Sequence, residues 1–561
     1  MDIQKTSFSN IVELLQYRAI HQSQKTAFIF LQDGEVESET ITYKKLDEYA
    51  KIIATYLEQS EVRPGDRVLL IYPSGIEFIK AFFGCLYSGV IAVSVDLPKR
   101  NHHGERIRAI SIDAKTQFAL TTSSTLKKIT NTIEKDSFWS TLYYLETDIL
   151  EQERLSLHKS PQINTDNIAF LQYTSGSTGE PKGVIVTHLN ILHNLQALQK
   201  AFDHDTDTII VGWLPLFNDM GLILNVLQPI YLGIPCILMP SVAFLQKPIR
   251  WLKAISKYRA TTSGETNFAY DICIEKIKTE QLANLDLSSW DLAFNGAEPL
   301  QARTLEQFSK KFARCGFNYN AFYPCYGMAE TTLLTTGGNK NQKPVIQGIQ
   351  PEKLKQHLVV ESKELSTESL KFVGCGYPYL DTKVIIVHPE SLNHCKKGQV
   401  EEIWISGGSI TSGYWNNPKA TQETFQAHVA DIGEGPFLRT GDLGFLLDGE
   451  LFVTGCIKDV IIIRGRNYYS QDIELTVEKS HQALRNYFSA AFSREIEGEQ
   501  RLLVACEVKR TYLNKLNTRE IAKAIQIAVS TEHELEVYGI VLLKTGSIPK
   551  TSSGKDSTAC L

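Results

Sequence analysis

The chain has 561 residues, of which 43% are hydrophobic and 22% are charged, and its formal net charge at pH 7 is −5. This length predicts several structural units around at least one large core, and it excludes a small scaffold held together by disulfides. A nearly balanced charge gives no general attraction to a phosphate backbone or to anionic lipid. The composition therefore argues against a nucleic-acid partner, and any bound nucleotide needs a local site.

The cysteines and the N-terminal residues bear on the cellular compartment. None of the ten cysteines forms a C-x-x-C pair or zinc-finger spacing, so we expect reduced, mostly buried thiols. Polar and charged residues stand where a signal peptide needs an unbroken apolar stretch. The most apolar region, Val211–Leu245, is interrupted by polar residues and prolines, which are costly in a bilayer. We expect a cytoplasmic protein that is not integral to a membrane.

The first half of the chain alternates helix-like and strand-like segments. Residues 43–60 have apolar side chains at helical spacing, with charged residues on the opposite face. An apolar run, Arg67–Tyr72, follows, then the helix-like Ile76–Tyr87 and a second apolar run, Val90–Val95. This βαβ rhythm recurs further along the chain. It predicts a large α/β body in which helices cover parallel sheets.

The sequence pattern changes in the second half of the chain. From about Gln399, short β-rich stretches such as EEIWISG and GELFVTG are separated by glycines, which predicts antiparallel hairpins. The last hundred residues combine two apolar runs, Leu502–Val508 and Gly539–Leu543, with an amphipathic segment, Thr518–Val529, and predict a compact α+β unit. The polar segment Gly338–Leu370 is interpreted as an insertion or a long functional loop.

One turn concentrates hydroxyls, glycines and a lysine. The string YTSGSTGEPKG, Tyr173–Gly183, directly follows the apolar Ile168–Leu171. Glycines let backbone N–H groups approach an anion closely, and Lys182 adds positive charge, so the segment suits a polyphosphate. Its spacing differs from that of an ordinary P-loop, and its composition fits a flexible polar linker equally well.

The order of further motifs distinguishes these interpretations, because here the sequence resembles the adenylate-forming superfamily. That superfamily includes acyl-CoA synthetases, luciferases and the adenylation domains of peptide synthetases. The motifs that follow the YTSGSTGEPKG string, in the same order as in the superfamily, are Asn295–Pro299, Tyr326–Glu330, Arg439–Asp442 and Ser547–Lys555. The segments most similar to fatty acyl-AMP ligases are Trp213–Pro215, Asp219–Leu222 and Ile461–Asn467.

The resemblance implies an α/β fold in two parts. A large N-terminal domain, residues 1–455, would contain doubly wound sheets plus a distorted β-barrel, with the insertion at about 338–370. A small, mobile α+β C-terminal domain, residues 459–561, would follow a hinge at 456–458 that contains Lys458. ATP and the acyl substrate would bind the large domain, with the small domain as a lid.

The resemblance also implies a reaction that uses ATP and Mg²⁺. A carboxylate attacks the α-phosphate of ATP, pyrophosphate leaves and an acyl-AMP remains, so positive charge must gather around the phosphates. The residues implied to bind ATP or AMP are Thr174, Ser175, Gly176, Ser177, Thr178, Gly179, Asn295, Gly296, Ala297, Glu298, Tyr326, Gly327, Met328, Ala329, Asp442 and Arg464. The other implied roles are Mg²⁺ binding by Glu330 and Thr174, catalysis by Lys182 and Lys555, and an acyl pocket of Trp213, Asp219, Met220 and Phe268.

Without the resemblance, several of these side chains have ordinary interpretations. Glu330 reads as a surface carboxylate, Tyr326 as a core aromatic, Asp442 as a turn cap and Lys555 as part of a frayed tail.

Two residues also depart from the family pattern. Asn218 stands where many relatives have histidine, and asparagine does not titrate near neutrality. Cys456 stands where arginine is common, so we expect a hinge-region ion pair to be missing.

Four functions follow from the sequence, in order of preference. The first is a fatty acyl-AMP ligase that activates a medium- or long-chain fatty acid and passes the acyl group to the phosphopantetheine thiol of an acyl carrier protein. The second is a long-chain acyl-CoA synthetase, which the polar insertion disfavours if it restricts the domain movement needed for attack by CoA. Amino-acid adenylation, with Asp219 facing the substrate's ammonium group, and a non-catalytic adenylate binder rank below these.

Overall fold

A computed structural model provides the structure of the chain. It describes residues 8–98, 104–132, 138–150, 161–174, 181–362, 369–463, 466–496, 499–533 and 535–548. Helices and strands are numbered in chain order.

The elements of the first part are α1 (Ile11–His21), β1 (Thr26–Leu31), β2 (Glu37–Thr42), α2 (Tyr43–Gln59), β3 (Arg67–Ile71), α3 (Ile76–Tyr87), β4 (Ile91–Val95), α4 (Glu105–Ala114), β5 (Phe118–Thr121), α5 (Ser123–Thr132), β6 (Tyr143–Glu146), β7 (Ile168–Thr174) and β8 (Lys182–Thr187). Those of the second part are α6 (His188–Phe202), β9 (Ile210–Gly212), α7 (Asp219–Leu222), α8 (Gln228–Leu232), β10 (Cys236–Leu238), α9 (Ser241–Gln246), α10 (Ile249–Tyr258), β11 (Thr262–Glu265), α11 (Asn267–Lys276), β12 (Leu292–Asn295), α12 (Ala302–Phe312), β13 (Phe322–Gly327) and β14 (Leu334–Gly337).

The elements of the third part are β15 (Ile346–Ile349), α13 (Pro351–Leu354), β16 (Leu370–Val373), β17 (Tyr377–Pro378), β18 (Lys383–Val387), β19 (Glu401–Ser406), α14 (Pro418–Phe425), β20 (Leu438–Leu447) and β21 (Glu450–Cys456). Those of the last part are β22 (Val460–Ile463), β23 (Arg466–Tyr469), α15 (Ser470–Ser480), β24 (Leu484–Ile496), β25 (Glu499–Val508), α16 (Thr518–His533) and β26 (Val537–Leu543).

Two large sheets form the body. One has nine strands in the order β17-β14-β13-β12-β11-β9-β10-β1-β2, and its six strands from β13 to β1 are parallel. The other has six strands in the order β6-β5-β3-β4-β7-β8, of which only β8 is antiparallel to its neighbour. Strand β4 is buried along its whole length because helices cover both faces of a parallel sheet. The predicted α/β body is confirmed.

The main core lies between these two sheets. It contains Phe170 from the six-stranded sheet and Phe294 from the nine-stranded sheet, together with apolar residues of α1, α2, α3 and α6. A second core, built on Trp251 and Trp290, covers the opposite face of the nine-stranded sheet. This layering fixes the strand ends from which the predicted motifs project.

The third part is β-rich and contains the antiparallel strand pairs predicted from about Gln399 onward. Strands β18 to β21 form an antiparallel sheet, and β15 pairs with β16 in a separate ribbon. The polar segment 338–370 is therefore more than a loop, because it contains β15 and α13. Two apolar residues attach this segment to the body, because Ile349 and Leu354 are buried together with Phe445 and Phe452.

The last part is a smaller α+β unit with its own core. Strands β24, β25 and β26 form one sheet, and α15 and α16 pack together. Apolar residues of both helices and of the sheet, including Ile473, Val504 and Ile525, share one buried cluster. Among the described residues, no helix has the length and apolar character needed to cross a membrane.

Candidate active site

Three predicted motifs lie where strands end. Thr174 ends β7, Asn295 ends β12, and Tyr326 and Gly327 end β13. In α/β sheets, ligands bind in the crevice beyond the carboxyl ends of the parallel strands. Gly327 lets the backbone at Leu333 pass close to β13, because a Cβ at position 327 would lie 1.7 Å from the Leu333 carbonyl oxygen. Because β12 and β13 are parallel neighbours, Asn295 and Tyr326 lie at the same edge of the nine-stranded sheet, and Thr174 lies at the carboxyl end of β7 in the six-stranded sheet.

A lysine, a tyrosine and a glutamate connect the two sheets at this crevice. Lys182 is the register partner of Thr174 across the β7–β8 ladder. Its Nζ lies 4.9 Å from the centroid of the Tyr414 ring, and the Tyr414 hydroxyl donates to Oε1 of Glu330 over 2.8 Å. The structure therefore brings the predicted residues Thr174, Lys182 and Glu330 together. Tyr414 joins them, and no pattern in the sequence predicts its part in the site.

Glu330 is buried, with 7% of its surface exposed, so the surface interpretation of this carboxylate is wrong. Its pKa is raised chiefly by burial and also by the negative charges of Asp219 and Asp442. A bound cation would reduce the electrostatic repulsion among these carboxylates. Among the described residues there is no cluster of three or more His, Cys, Asp or Glu suited to a metal. Two oxygen donors, Glu330 and Thr174, fit Mg²⁺, which takes few protein ligands and completes its shell with substrate phosphates and water.

Tyr326 and Asp442 are in direct contact. The Tyr326 hydroxyl donates to Oδ2 of Asp442 over 2.7 Å. Burial, followed by the charge of Asp442, raises the pKa of Tyr326 well above its usual value. Asp442 lies opposite Cys456 across the β20–β21 ladder, and the Cys456 thiol donates to the Gly441 carbonyl over 3.1 Å. The predicted adenine and ribose residues thus join β13 to β20.

The motif Asn295–Glu298 forms a tight turn after β12. Ala297 has a φ of +66°, in the left-handed region. The Glu298 carboxylate accepts a hydrogen bond from the Phe268 amide. Asn295 is fully buried, and its Oδ1 has no hydrogen-bond partner among the described residues. Because buried acceptors without partners are costly, a ligand donor in this turn would satisfy Asn295.

The predicted acyl-pocket residues do not form one cluster. Trp213 stacks on Phe244 in the outer core, with 3.9 Å between ring centroids. Met220 lies in the core between the sheets, and the ring of Phe268 faces the small domain. Asp219 lies near enough to Glu330 to raise its pKa. The acyl pocket stays a prediction.

Several predicted site residues lie outside the described residues. These are Ser175, Gly176, Ser177, Thr178, Gly179, Arg464 and Lys555. Lys458, the predicted hinge residue, is exposed on a short turn, Ile457–Asp459, directly after β21. The hinge and the domain boundaries stay predictions.

A polar cluster lies behind the adenine motif, at the start of α11. Asn267 Nδ2 donates to Thr304 Oγ1 over 3.1 Å, and the Thr304 hydroxyl donates to Oδ2 of Asp271 over 3.1 Å. Burial raises the pKa of Asp271 to about 7, partly offset by the Thr304 hydrogen bond and the charge of Arg303. The Asp271 side chain therefore titrates near neutrality.

The raised pKa of Asp271 makes stability depend on pH. Because the pKa of a carboxyl in the unfolded chain is about 4, the folded state loses stability as pH rises toward and through about 7. We expect Asp271→Asn to melt at the same temperature as the wild type near pH 4. At pH 8 the free energy of unfolding of the variant should exceed that of the wild type by on the order of 4 kcal/mol, and the variant should melt at a higher temperature. Thermal denaturation across this range checks the prediction, and a lower melting temperature at pH 8 contradicts it.

Comparisons with known proteins place this geometry among nucleotide-dependent enzymes. Residues 15–415 match the family model described as AMP-binding enzyme, and residues 458–558 match that of the Disco-interacting protein 2-like AMP domain. The medium-chain-fatty-acid–acyl-carrier-protein ligase JamA of Moorena producens is 47% identical, over 99% of this chain and 95% of that protein. The similarly named TtuA of Teredinibacter turnerae is 34% identical, over 97% and 91%.

A solved structure gives the same result for the fold. The fatty acyl-adenylate ligase from Legionella pneumophila, in complex with acyl adenylate and pyrophosphate, is 40% identical to this chain, with a TM-score of 0.79. The match covers 99% of this chain and 95% of that one.

Proposed function

We propose that this chain, which belongs to the AMP-binding enzyme family, is a fatty acyl-AMP ligase. It joins a medium-chain fatty acid to ATP, releases pyrophosphate, and passes the acyl group from the adenylate to the phosphopantetheine thiol of an acyl carrier protein. The relatives JamA and TtuA, named as ligases of this kind, support the choice of acid and acceptor.

One observation carries the proposal: the chain of contacts from Lys182 through Tyr414 to Glu330. The Lys182 ammonium group and the buried Glu330 carboxylate both contact Tyr414, and Lys182 pairs with Thr174 across the β7–β8 ladder. Joining a carboxylate to a phosphate requires positive charge between two anions. An acidic group is needed as well, to hold the cation that accompanies ATP. Both requirements meet at Tyr414.

The reaction follows from what each side chain supplies. Lys182 contributes positive charge to the phosphates, and the Tyr414 ring fixes the position of its ammonium group. Mg²⁺, held by Glu330 and the Thr174 hydroxyl, would neutralise the charge of the leaving pyrophosphate. Asp442 accepts from the ribose hydroxyls, and Tyr326 orients its carboxylate. With the nucleotide held, the bound carboxylate attacks the α-phosphate in line with the departing pyrophosphate.

We also propose a cytoplasmic location. The nine cysteines among the described residues are all free, as expected for a reducing compartment.

The decisive experiment measures pyrophosphate release across fatty acids of increasing chain length, with CoA or a holo carrier protein as acceptor. We expect release with medium-chain acids and acyl transfer to the carrier protein. Acyl-CoA formed at a comparable rate would instead identify an acyl-CoA synthetase. Pyrophosphate release that depends more strongly on an amino acid would reject the fatty-acid proposal, and nucleotide binding without any release would identify a non-catalytic binder.

A further inference from the structure

The small domain contacts the body at both ends of α11. At the start of this helix, Nδ2 of Asn267 donates to the Tyr487 hydroxyl over 3.3 Å. The rings of Phe268 and Tyr487 meet edge to face, with 5.8 Å between centroids. At the other end, Nδ2 of Asn486 donates to Oε1 of Glu275 over 2.7 Å. Two adjacent residues of the small domain therefore make a directed contact with one helix of the body.

These two residues belong to a bulge in β24. Leu484 and Ser489 of this strand pair with residues only two apart on β25, so the residues between them are extruded from the ladder. Tyr487 has a φ of +64°, in the left-handed region that bulky side chains rarely adopt. Strain of this kind is retained where the surrounding structure or the function requires it. The bulge presents Asn486 and Tyr487 to α11.

The body side of the contact is part of the predicted adenine site. The Phe268 amide donates to the Glu298 carboxylate, and Oδ1 of Asn267 accepts from Nδ2 of Asn295 over 3.5 Å. The two residues that contact Tyr487 therefore also hold the turn that follows β12.

On its other side, the bulge is linked by polar contacts to Gly546 and Ile548, which precede the C-terminal segment that contains Lys555. Arg485 forms an ion pair with Glu507, whose carboxylate is fully buried. That carboxylate also accepts from the amides of Gly546 and Ile548, each over 2.8 Å. Lys555 follows Ile548 by seven residues in the sequence (555 − 548). The bulge that contacts α11 is therefore connected through Glu507 to the residues that lead into the C-terminal segment.

We propose that the bulge, residues 485–488, docks the small domain on α11 in the orientation that forms the adenylate. Tyr487 and Asn486 act as positioning residues, and neither touches the reacting atoms. The inference rests on the proposed function, since it assigns the docked orientation to the first step of that reaction.

Tyr487→Gly separates a docking role from a structural one. Glycine adopts a positive φ without strain, so the small domain should be as stable as before or more stable. Loss of the contact should lower the rate constant of adenylate formation by about 10-fold, with the KM for ATP within about 2-fold of the wild-type value. A variant of unchanged stability and unchanged rate would overturn the proposal.

A matched pair tests the hydroxyl. Tyr487→Phe removes only the hydrogen bond from Asn267, and we expect adenylate formation to slow by about 3- to 10-fold. Tyr538→Phe makes the same change on β26, where Tyr538 is 53% exposed, and should leave the rate unchanged. Equal effects of the two substitutions would reject a specific role for Tyr487.

A cross-link tests the orientation itself. Glu275→Cys combined with Asn486→Cys should be joined by a short bismaleimide cross-linker, and the cross-linked protein should retain adenylate formation within about 3-fold of the untreated variant. Failure to cross-link, or loss of adenylate formation on cross-linking, would overturn the proposal. If neither the wild type nor the untreated variant releases pyrophosphate with any fatty acid, the proposed function fails, whereas the cross-linking yield still reports on docking.

Discussion

Glu330→Gln is expected to lower the rate constant of adenylate formation by about 100-fold or more, an effect of the size seen when a charge-stabilising group is removed from an active site. Glutamine can still accept the hydrogen bond from Tyr414, so the local packing is kept. What disappears is the negative charge that would hold a cation beside Thr174. We therefore expect the Mg²⁺ concentration needed for half-maximal activity to rise.

Stability distinguishes this effect from misfolding. Burial raises the pKa of Glu330, so the ionised side chain costs stability increasingly as pH rises through that pKa. A neutral glutamine avoids this cost, and Glu330→Gln should be at least as stable as the wild type at pH 8. Pyrophosphate release at several Mg²⁺ concentrations, measured beside thermal denaturation, checks both statements.

The matched control is Tyr414→Phe. Phenylalanine keeps a ring for the Lys182 ammonium but removes the hydroxyl from Glu330. We expect a loss of about 3- to 10-fold, the cost of one hydrogen bond to a charged group, and a nearly unchanged Mg²⁺ requirement. A Glu330→Gln variant no slower than Tyr414→Phe would remove Glu330 from the cation site.

Local patterns predicted the elements that local forces determine. The helix predicted at Ile76–Tyr87 coincides with α3, because its apolar side chains recur with the period of a helix. The strand predicted at Arg67–Tyr72 differs from β3 by one residue. Strand order could not be predicted in this way, since parallel partners such as β9 and β10 are joined by long crossover segments.

The same difference between local and long-range contacts decides which residues of the candidate site could be predicted from the sequence. Thr174 and Lys182 are close in sequence, and a short motif identified both of them. Tyr414 lies 84 residues from Glu330, and no local pattern marks an isolated tyrosine as its partner. Tyr487 is a similar case, because a positive φ is expected of glycine or asparagine and is not expected of tyrosine. Both residues act through contacts that only the folded chain creates.

Lys555→Ala carries the largest expected effect on catalysis. The resemblance to adenylate-forming enzymes assigns this lysine to the developing charge between the carboxylate and the α-phosphate, and a long, flexible ammonium side chain suits that task. The segment that carries it begins where Glu507 holds the amide of Ile548, close to the contact with α11. Removing the charge should lower adenylate formation by about 1000-fold, whereas ATP, gripped by other residues, should bind with nearly unchanged affinity.

The matched control lies five residues earlier in the same segment (555 − 550). Lys550→Ala removes the same charge, and we expect activity within about 2-fold of the wild-type value, because the resemblance to adenylate-forming enzymes assigns this lysine no role in the reaction. Single-turnover formation of acyl-AMP and equilibrium binding of ATP measure the two quantities separately. If Lys555→Ala forms acyl-AMP at a near-normal rate, Lys555 has no part in the first step, and Lys182, whose ammonium group contacts the Tyr414 ring, becomes the candidate source of positive charge at the α-phosphate.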